Sequence, residues 1–182
     1  MTNAKVKVMQ IRELKLDDLP IRVEWMSDPK VYSSMHFEVP ILLDNTIRWF
    51  EKNKNSENRR DVVFLDDNKI VAFGGLTSII RDTQMAELYI FVDPNSQHRG
   101  IGTDATTLLC QWGFSTLGLR KIYLYTNEDN HAAIKAYEKC GFVLEGRHRL
   151  EYKNNSGDYK DRLYFGLLKT DLERCDFGNR IQ

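Results

Sequence analysis

The sequence predicts an α+β (α/β) fold in which a mixed, mostly antiparallel central sheet is flanked by helices. Runs of strand-like alternation are interspersed with runs of helical period, so both element types are expected. Neighbouring strand-like runs are joined by short turns, which favours antiparallel hairpins. The regular strand–helix–strand alternation of a doubly wound parallel sheet is not found.

In chain order the runs predict a strand, two helices, three strands, a helix, a strand, a helix and two strands. The strand-like runs cover residues 9–16, 61–67, 70–80, 85–92, 121–127, 142–153 and 159–168. The helical runs cover residues 17–26, 45–54, 100–117 and 130–140.

Cap residues set the boundaries in the first half of the chain. Asp17 or Asp18 is expected to cap the first helix, with Pro20 in its first turn. Asp44 is the expected cap of the second helix. The segment 27–43 holds two of the four prolines and several aromatic residues, which predicts an ordered loop.

Turn residues set the boundaries in the second half. Asp67-Asn68 is a hairpin turn signal, and Asp93-Pro94 ends the following strand. Gly118 and Gly141 are placed to end the last two helices. The turn-rich stretch 154–157 is expected to join the final two strands.

Composition favours a single domain over residues 1–182, with a core of about 10–170 and a short C-terminal tail, 171–182. Lys and Arg number 26, as do Asp and Glu, so no global field favours nucleic acid or an anionic membrane. No signal peptide or membrane span is found, so the cytoplasm is the expected compartment. Three cysteines without a C-x-x-C pair predict neither a disulfide framework nor a metal site.

The stretch QHRGIG, residues 97–102, joins a strand-like run to a helical run. A helix N-terminus favours an anion, because unpaired N–H groups and the helix dipole face it. Gly100 and Gly102 let the backbone curl around that anion, and His98 and Arg99 add positive charge. The pattern is neither a Walker loop nor a Rossmann fingerprint, so both a phosphate cradle and a tight turn stay open.

A second motif follows in NHAAIKAYEKCGF, residues 130–142. Asn130, Ile134 and Tyr137 fall on one stripe of one helix, so an amide and a phenol can contact the same polar ligand. Alternatively, Asn130 is only the helix cap and Tyr137 only packs against the core.

Together these motifs resemble the signatures of the GCN5-related N-acetyltransferase (GNAT) superfamily. The signature Q/R-x-x-G-x-G/A fits residues 97–102, and N-x-x-A-x-x-x-Y-x-x-x-G-F fits residues 130–142. The matching order of elements covers about residues 10–170. W-M-S-D-P, I-R-W-F-E and G-D-Y-K-D-R-L-Y-F-G-L resemble the branch that holds spermidine, amino-sugar and ribosomal-protein N-terminal acetyltransferases.

The resemblance implies a three-layer GNAT fold whose splayed strands, ending at Asp93 and Asn127, hold acetyl-CoA as the cosubstrate, with no metal. The implied pyrophosphate residues are Gln97, His98, Arg99, Gly100, Ile101, Gly102 and Thr103. The implied pantetheine and thioester residues are Phe91, Val92, Asn130 and Tyr137.

Amide formation from a thioester needs a neutral amine, a donor to the carbonyl oxygen and a proton for the leaving thiolate. Glu87 is the candidate base, since it shares a strand face with Tyr89 and Phe91 that is expected to raise its pKa. The Val92 N–H, freed by a local bulge, is the candidate oxyanion donor. Tyr137 is the candidate acid, because a phenol near pKa 10 is roughly matched to a thiol.

Other assignments for the base stay open. Glu87 is alternatively a solvated residue or an ion-pair partner. Where some relatives use a glutamate in the next strand, spacing places Tyr125, so a water chain is another route. His36 competes as the base, and Glu38 in the same loop is a candidate to attract a cationic amine.

The sequence therefore predicts an N-acetyltransferase that moves an acetyl group to a primary amine of a small molecule, such as a polyamine or an amino sugar. The alternatives are a protein N-terminal acetyltransferase of the ribosomal-protein type and a non-catalytic acyl-CoA sensor. An acidic acceptor pocket would favour a polyamine, and a flat aromatic pocket a nucleotide-linked amino sugar. No nucleic-acid or membrane partner is expected, and a homodimer or higher homo-oligomer is left open.

Overall fold

A computed structural model of the protein describes residues 9–35, 37, 39–96, 99–154 and 156–174. The strands are β1 (Gln10–Glu13), β2 (Arg60–Asp66), β3 (Lys69–Ile80), β4 (Met85–Val92), β5 (Lys121–Asn127), β6 (Val143–Lys153) and β7 (Tyr159–Leu168). The helices are α1 (Leu19–Met26), α2 (Pro29–Met35), α3 (Leu43–Asn53), α4 (Ile101–Thr116), α5 (His131–Lys139) and α6 (Lys169–Arg174).

The described strands form one sheet in the order β1-β2-β3-β4-β5-β7-β6. All neighbouring strands run antiparallel except β4 and β5, which are parallel. The predicted mixed, mostly antiparallel sheet is therefore confirmed.

The parallel strands β4 and β5 pair only at their first residues. The pairing runs from Met85 with Lys121 to Glu87 with Tyr123 and then stops. The two strands separate after the pair Glu87 and Tyr123, and we call this point of separation the fork. The fork is the element of the fold that places the site described below.

Helices cover the two faces of the sheet at different places. The α4 helix packs beneath the sheet around Leu109 and Phe114, against residues such as Leu76 and Ile122. On the opposite face, α1 to α3 pack over the first four strands. The buried members of that second cluster are Leu14, Leu19, Trp25, Val31, Val63, Phe73 and Phe91. Burying each large apolar side chain contributes about 1.5–3 kcal/mol to the free energy of unfolding, so the two clusters stabilise the sheet on its two faces.

The segment predicted as a loop, 27–43, contains the helix α2, so that prediction was wrong. Pro29 occupies the first helical position, where its missing N–H is not needed. Asp28 accepts a hydrogen bond from the Lys30 N–H at 2.8 Å, and Val31 is buried. An Asp-Pro pair that indicates a turn in sequence here begins a helix.

One of the two predicted caps was wrong. The α3 helix starts after Leu42, so Asp44 lies in its first turn instead of capping it. Asp18 does stand at the N-cap position of α1, with Pro20 in the first turn, but its carboxylate accepts hydrogen bonds from Arg12 and the Lys15 N–H rather than from the helix. The predicted C-terminal tail begins inside α6, and residues 175–182 lie outside the described part of the chain.

None of the helices described here is long and apolar enough to cross a membrane.

Candidate active site

Beyond the fork the space between β4 and β5 opens into a cavity of about 820 Å³. This volume lies within the range of about 300–1,000 Å³ that is usual for small-molecule sites. The residues predicted from the sequence that line it are Phe91, Val92, Gly100, Ile101, Gly102, Thr103, Asn130 and Tyr137. The two separate sequence motifs therefore meet in one cavity.

The N-terminus of α4 opens onto this cavity. Gly100 precedes the helix with a φ of 81°, a left-handed conformation that costs an L-residue about 1–2 kcal/mol. A Cβ added at Gly102 would lie 3.6 Å from the Val92 side chain, which is an ordinary contact. One turn later, Thr106 lies at the wall of the cavity, with its hydroxyl buried and without a hydrogen-bond partner among the described atoms. The unpaired backbone N–H groups of the first turn are thus the donors available to a polar ligand.

The N-cap residue of α5 and the seventh residue of the helix both line the cavity. Asn130 caps the helix, because its Oδ1 accepts a hydrogen bond from the Ala133 N–H at 3.2 Å. The predicted capping alternative is therefore true, and the side-chain amide nitrogen is the part of Asn130 that can donate to a ligand. The Tyr137 ring packs against Phe142 with 5.8 Å between centroids and also lines the cavity.

The Tyr137 phenol is a weaker acid than an ordinary tyrosine. Burial raises its pKa well above the usual value, and the nearby thiols of Cys140 and Cys110 raise it further. The phenol therefore keeps its proton across the physiological range. The sequence matched this phenol to a thiol by the pKa of a solvated side chain, and burial raises the pKa of the phenol above that value.

Three lysines at the cavity were missed by the sequence analysis. Lys30 comes from α2, while Lys135 and Lys139 come from successive turns of α5. Among the described lining residues, the only carboxylate is that of Asp129. The four-residue spacing of Lys135 and Lys139 could have placed them on one face of the predicted helix. Lys30 lay in a segment predicted as a loop, so its position could not be inferred. This excess of positive charge suits a ligand that carries phosphate groups.

The Val92 N–H lies on the edge of β4 that faces the cavity. The Asp93 N–H donates to the Val71 carbonyl at 3.1 Å, so the alternation of an antiparallel ladder directs the Val92 N–H away from β3. The predicted bulge at Val92 was wrong, since the described register shift lies between Thr77 and Ile80. The separation of β5 at the fork, and not a bulge, makes this donor available.

Glu87 sits at the fork itself and is not among the residues that line the cavity. It is the last residue of β4 that pairs with β5, and it is partly buried. Burial raises the pKa of its carboxyl, while the positive charge of Arg162 opposes the rise. The pKa shift has the predicted direction. Tyr89, expected beside it, donates a hydrogen bond to Asp61 under the α1–α3 side.

The remaining predicted site residues have different outcomes. Arg99 is exposed and is not among the residues that line the cavity. The other four, His36, Glu38, Gln97 and His98, lie outside the described residues. Within the described ranges, no group of three or more His, Cys, Asp or Glu side chains could hold a metal ion.

The arrangement fits a long ligand that carries phosphates at one end and a reactive acyl group at the other. The α4 N-terminus and the three lysines supply donors and positive charge for phosphates. The free edge of β4 supplies backbone hydrogen bonds to an extended arm. Tyr137 and Glu87 bring a proton donor and a proton acceptor toward the fork. Acetyl-coenzyme A has this order of groups, so the residues present fit it.

Comparison with known proteins agrees with this geometry. The acetyltransferase (GNAT) domain family matches residues 9–143. Spermidine N(1)-acetyltransferase of Escherichia coli (strain K12) is 31% identical over 114 residues, which cover 63% of this chain and 61% of that enzyme. The chain thus aligns with less than two thirds of that relative's length.

Two Vibrio cholerae comparisons span more of the chain. The spermidine N(1)-acetyltransferase of that organism is 29% identical over 172 residues, covering 92% of this chain and 98% of the relative. The crystal structure of V. cholerae spermidine N-acetyltransferase in complex with CoA and spermine matches with a TM-score of 0.86 at 25% identity. That match covers 91% of this chain and 98% of the other.

Proposed function

The chain belongs to the acetyltransferase (GNAT) domain family, and on that premise we propose that it is an N-acetyltransferase. It transfers the acetyl group of acetyl-CoA to a primary amine of a small molecule by direct attack of the amine on the thioester. The observation that carries the proposal is the meeting of the α4 N-terminus, Tyr137 and the free edge of β4 in one cavity at the fork. The family resemblance predicted from residues 97–102 and 130–142 is confirmed.

Acetyl-CoA supplies an activated acetyl thioester when bound. The first turn of α4, from Ile101 to Thr103, would hold its pyrophosphate together with Lys135 and Lys139. Asn130 and the backbone of Phe91 and Val92 would hold the pantetheine arm. Fixing both reactants in line accounts for a large part of the rate enhancement that such a site can give.

Glu87 is proposed as the proton acceptor for the amine, through a water molecule. A primary amine is mostly protonated at pH 7, so a carboxylate at the fork is needed to remove a proton before attack. The partial burial of Glu87 raises its pKa, which makes it a stronger base than a solvated carboxylate. The Val92 N–H is proposed to donate to the carbonyl oxygen as negative charge develops on it.

Tyr137 is proposed as the group that assists departure of the thiolate. Its raised pKa keeps the phenol protonated, so it acts first as a hydrogen-bond donor to the sulfur. Because the buried phenol is a weaker acid than the thiol, it stabilises the departing thiolate by this hydrogen bond and keeps its own proton, and the thiolate takes its proton from solvent. This role differs from a simple exchange between groups of matched pKa.

The acceptor is a polyamine or an amino sugar in this proposal. The names of the E. coli and V. cholerae relatives, and the spermine in the V. cholerae structure, favour a polyamine.

Release of free coenzyme thiol tests the activity directly. The protein is incubated with acetyl-CoA and, separately, with spermidine, glucosamine or a short peptide with a free N-terminus. We expect thiol release that depends on a small-molecule amine, together with a product 42 mass units heavier, which is about the mass of an added acetyl group. Tyr159→Phe, which changes an exposed tyrosine, is the matched control for Tyr137→Phe. Tight coenzyme binding without thiol release from any amine would instead favour the acyl-CoA sensor.

A further inference from the structure

Beside the fork, one face of the sheet carries a group of aromatic and charged residues that we call the tyrosine face. Its members are Glu87, Tyr123, Tyr125, Arg162 and Tyr164, from β4, β5 and β7. The Tyr164 ring lies 5.1 Å from Tyr125 and 5.5 Å from Tyr123, centroid to centroid. The strand alternation of β5 buries Ile122 and Leu124 and leaves the tyrosines partly exposed.

The tyrosine face joins the candidate base to the cavity. Tyr123 is the residue of β5 that pairs with Glu87 at the fork, and Tyr125 lines the cavity. Burial raises the pKa of Tyr123 and Tyr164, and the charge of Glu87 contributes to both shifts. An amine held by Glu87 would therefore have the tyrosine rings beside it.

Arg162 places a cation on this face. Its guanidinium carbon lies 4.7 Å from the centroid of the Tyr125 ring. Its Nε is buried and has no hydrogen-bond partner among the described atoms, and Glu151 is 3.9 Å from its Nη1. The Arg162 side chain as a whole is 34% exposed, so the residue is accessible to a ligand although its Nε is not. Arginine is suited to bind a carboxylate or phosphate through two parallel hydrogen bonds.

The carboxylates around this face already have cationic partners. Arg147 lies 3.0 Å from Glu128 and 2.7 Å from Asp161, and Arg162 itself lies 3.9 Å from Glu151. Within the tyrosine face Glu87 is the one acidic member. A linear polycation bound here would bring a second ammonium group toward Arg162, where like charges repel.

We propose that the acceptor amine belongs to a molecule that also carries a flat ring and an anionic group. Glu87 binds the amine, the three tyrosines contact the ring, and Arg162 binds the anion. This inference rests on the proposed transfer of an acetyl group to a small-molecule amine, and it departs from the polyamine that the names of the relatives favour. A nucleotide-linked amino sugar and an aromatic amino acid share this chemistry, whereas spermine has neither the ring nor the anion.

A comparison of four acceptors tests the inference. The values of kcat/KM are measured with acetyl-CoA and UDP-glucosamine, phenylalanine, glucosamine or spermidine. We expect UDP-glucosamine or phenylalanine to exceed both glucosamine and spermidine by about tenfold or more, which corresponds to one good polar contact. The better of the two identifies the source of the ring and anion. A higher value for spermidine than for both would overturn the inference.

Arg162→Gln is the diagnostic variant, and Arg149→Gln on β6 is its matched control, because Arg149 is an exposed arginine. Arg162→Gln should raise the KM for the anionic acceptor about tenfold, leave the KM for acetyl-CoA unchanged and lower the KM for spermidine, because a like charge is removed. Arg149→Gln should change none of them. An equal rise for spermidine and the anionic acceptor would contradict the assignment of Arg162 to an anion.

Direct binding separates this inference from the proposed function. The affinities of UDP-glucosamine, phenylalanine and spermidine are measured by calorimetry on the CoA-loaded protein and its Arg162→Gln variant. Binding of an anionic acceptor that the variant loses, without thiol release, would refute the acetyl transfer and retain the binding site. Tighter binding of spermidine, or no binding of either anionic compound, would refute the site.

Discussion

The two sides of the fork use different kinds of chemical group, supplied by different parts of the chain. On the coenzyme side, two short stretches of chain supply backbone N–H groups, glycines and one tyrosine to the cavity. On the acceptor side, the tyrosine face gathers long side chains from three strands, with Glu87 and Arg162 far apart in sequence. Under the proposed function, the first side would bind features shared by every acetyl-CoA molecule, and the second side would vary with the acceptor. The difference indicates that one fold can keep its donor while its acceptor changes.

The largest expected effect is on the coenzyme side. Tyr137→Phe should lower kcat about 10²–10⁴-fold, because a positioned proton donor is lost from the thiolate. Coenzyme affinity should change little, since the phenyl ring still packs on Phe142. Stopped-flow thiol release and equilibrium CoA binding measure the two quantities. An unaltered kcat would remove Tyr137 from the chemistry.

A second change tests the anion site at the start of α4. Gly102→Asp should weaken CoA binding about 100-fold, because a carboxylate would face the pyrophosphate. Gly102→Asn has nearly the same size without the charge and should lose much less. A Cβ fits at Gly102, with Val92 at 3.6 Å, so Gly102→Ala should bind CoA almost normally. Equal losses for Asp and Asn would assign the effect to size instead of charge.

On the acceptor side we expect a smaller loss that depends on pH. Glu87→Gln should lower kcat/KM about tenfold or more at pH 7, and less at pH 9, where more of the amine is already neutral. The exposed loop residue Glu57, changed to Gln, is the control. A loss that is the same at both pH values would contradict a role in deprotonating the amine.

The pH at which activity falls on the acidic side of the rate profile reports how Arg162 affects the pKa of Glu87. Burial raises the pKa of Glu87 from its ordinary value of 4.5, so activity should fall as the pH drops through this raised pKa. Arg162 lowers the pKa of Glu87, so Arg162→Gln should move the acidic limb to higher pH.

The raised pKa of Glu87 also affects stability. Because the folded-state pKa is raised, the ionised carboxylate destabilises the fold at pH 7. Glu87→Gln should therefore raise the free energy of unfolding there, and this gain should vanish below the unfolded pKa.

The smallest expected effect is structural. Gly100→Ala should destabilise the protein by about 1 kcal/mol, because its φ of 81° is unfavourable for alanine although the space around it is open. Gly102→Ala lies inside α4 and should stabilise by a few tenths to about 1 kcal/mol. Thermal unfolding compares them. Shifts of the same sign would show that backbone conformation does not separate these two glycines.

The coenzyme side was predictable because its determinants are local. Gly100, Gly102, Asn130 and Tyr137 lie in two continuous motifs, and the structure brings all four to one cavity. The fold class followed from strand alternation and hairpin turns. The α2 helix was missed, because Asp28-Pro29 is compatible with both a turn and a helix start.

The tyrosine face was not predictable from local patterns. Its geometry depends on which residue of β7 stands opposite β5, and Tyr125 faces Tyr164 in the observed register. The alternation of YKDRLYFGLL did place Arg162 and Tyr164 on one face, but it did not indicate which strand they would meet. The sequence therefore named Glu87 as a candidate base, which stays a proposal. The side chains that surround Glu87 could be identified only once the sheet was assembled.

The short contact at the fork has a consequence for the motions of the sheet. Among the described residues, the strand pairing between the two halves of the sheet runs only from Met85 with Lys121 to Glu87 with Tyr123. The N–H groups of Ile90 and Val92 point into the gap, so in the absence of coenzyme they should exchange with solvent deuterium sooner than the Phe91 N–H. A pantetheine arm laid along β4 would act as a removable strand that closes the gap. Coenzyme would then be a structural part of the sheet during turnover, and its departure would loosen the joint between the halves.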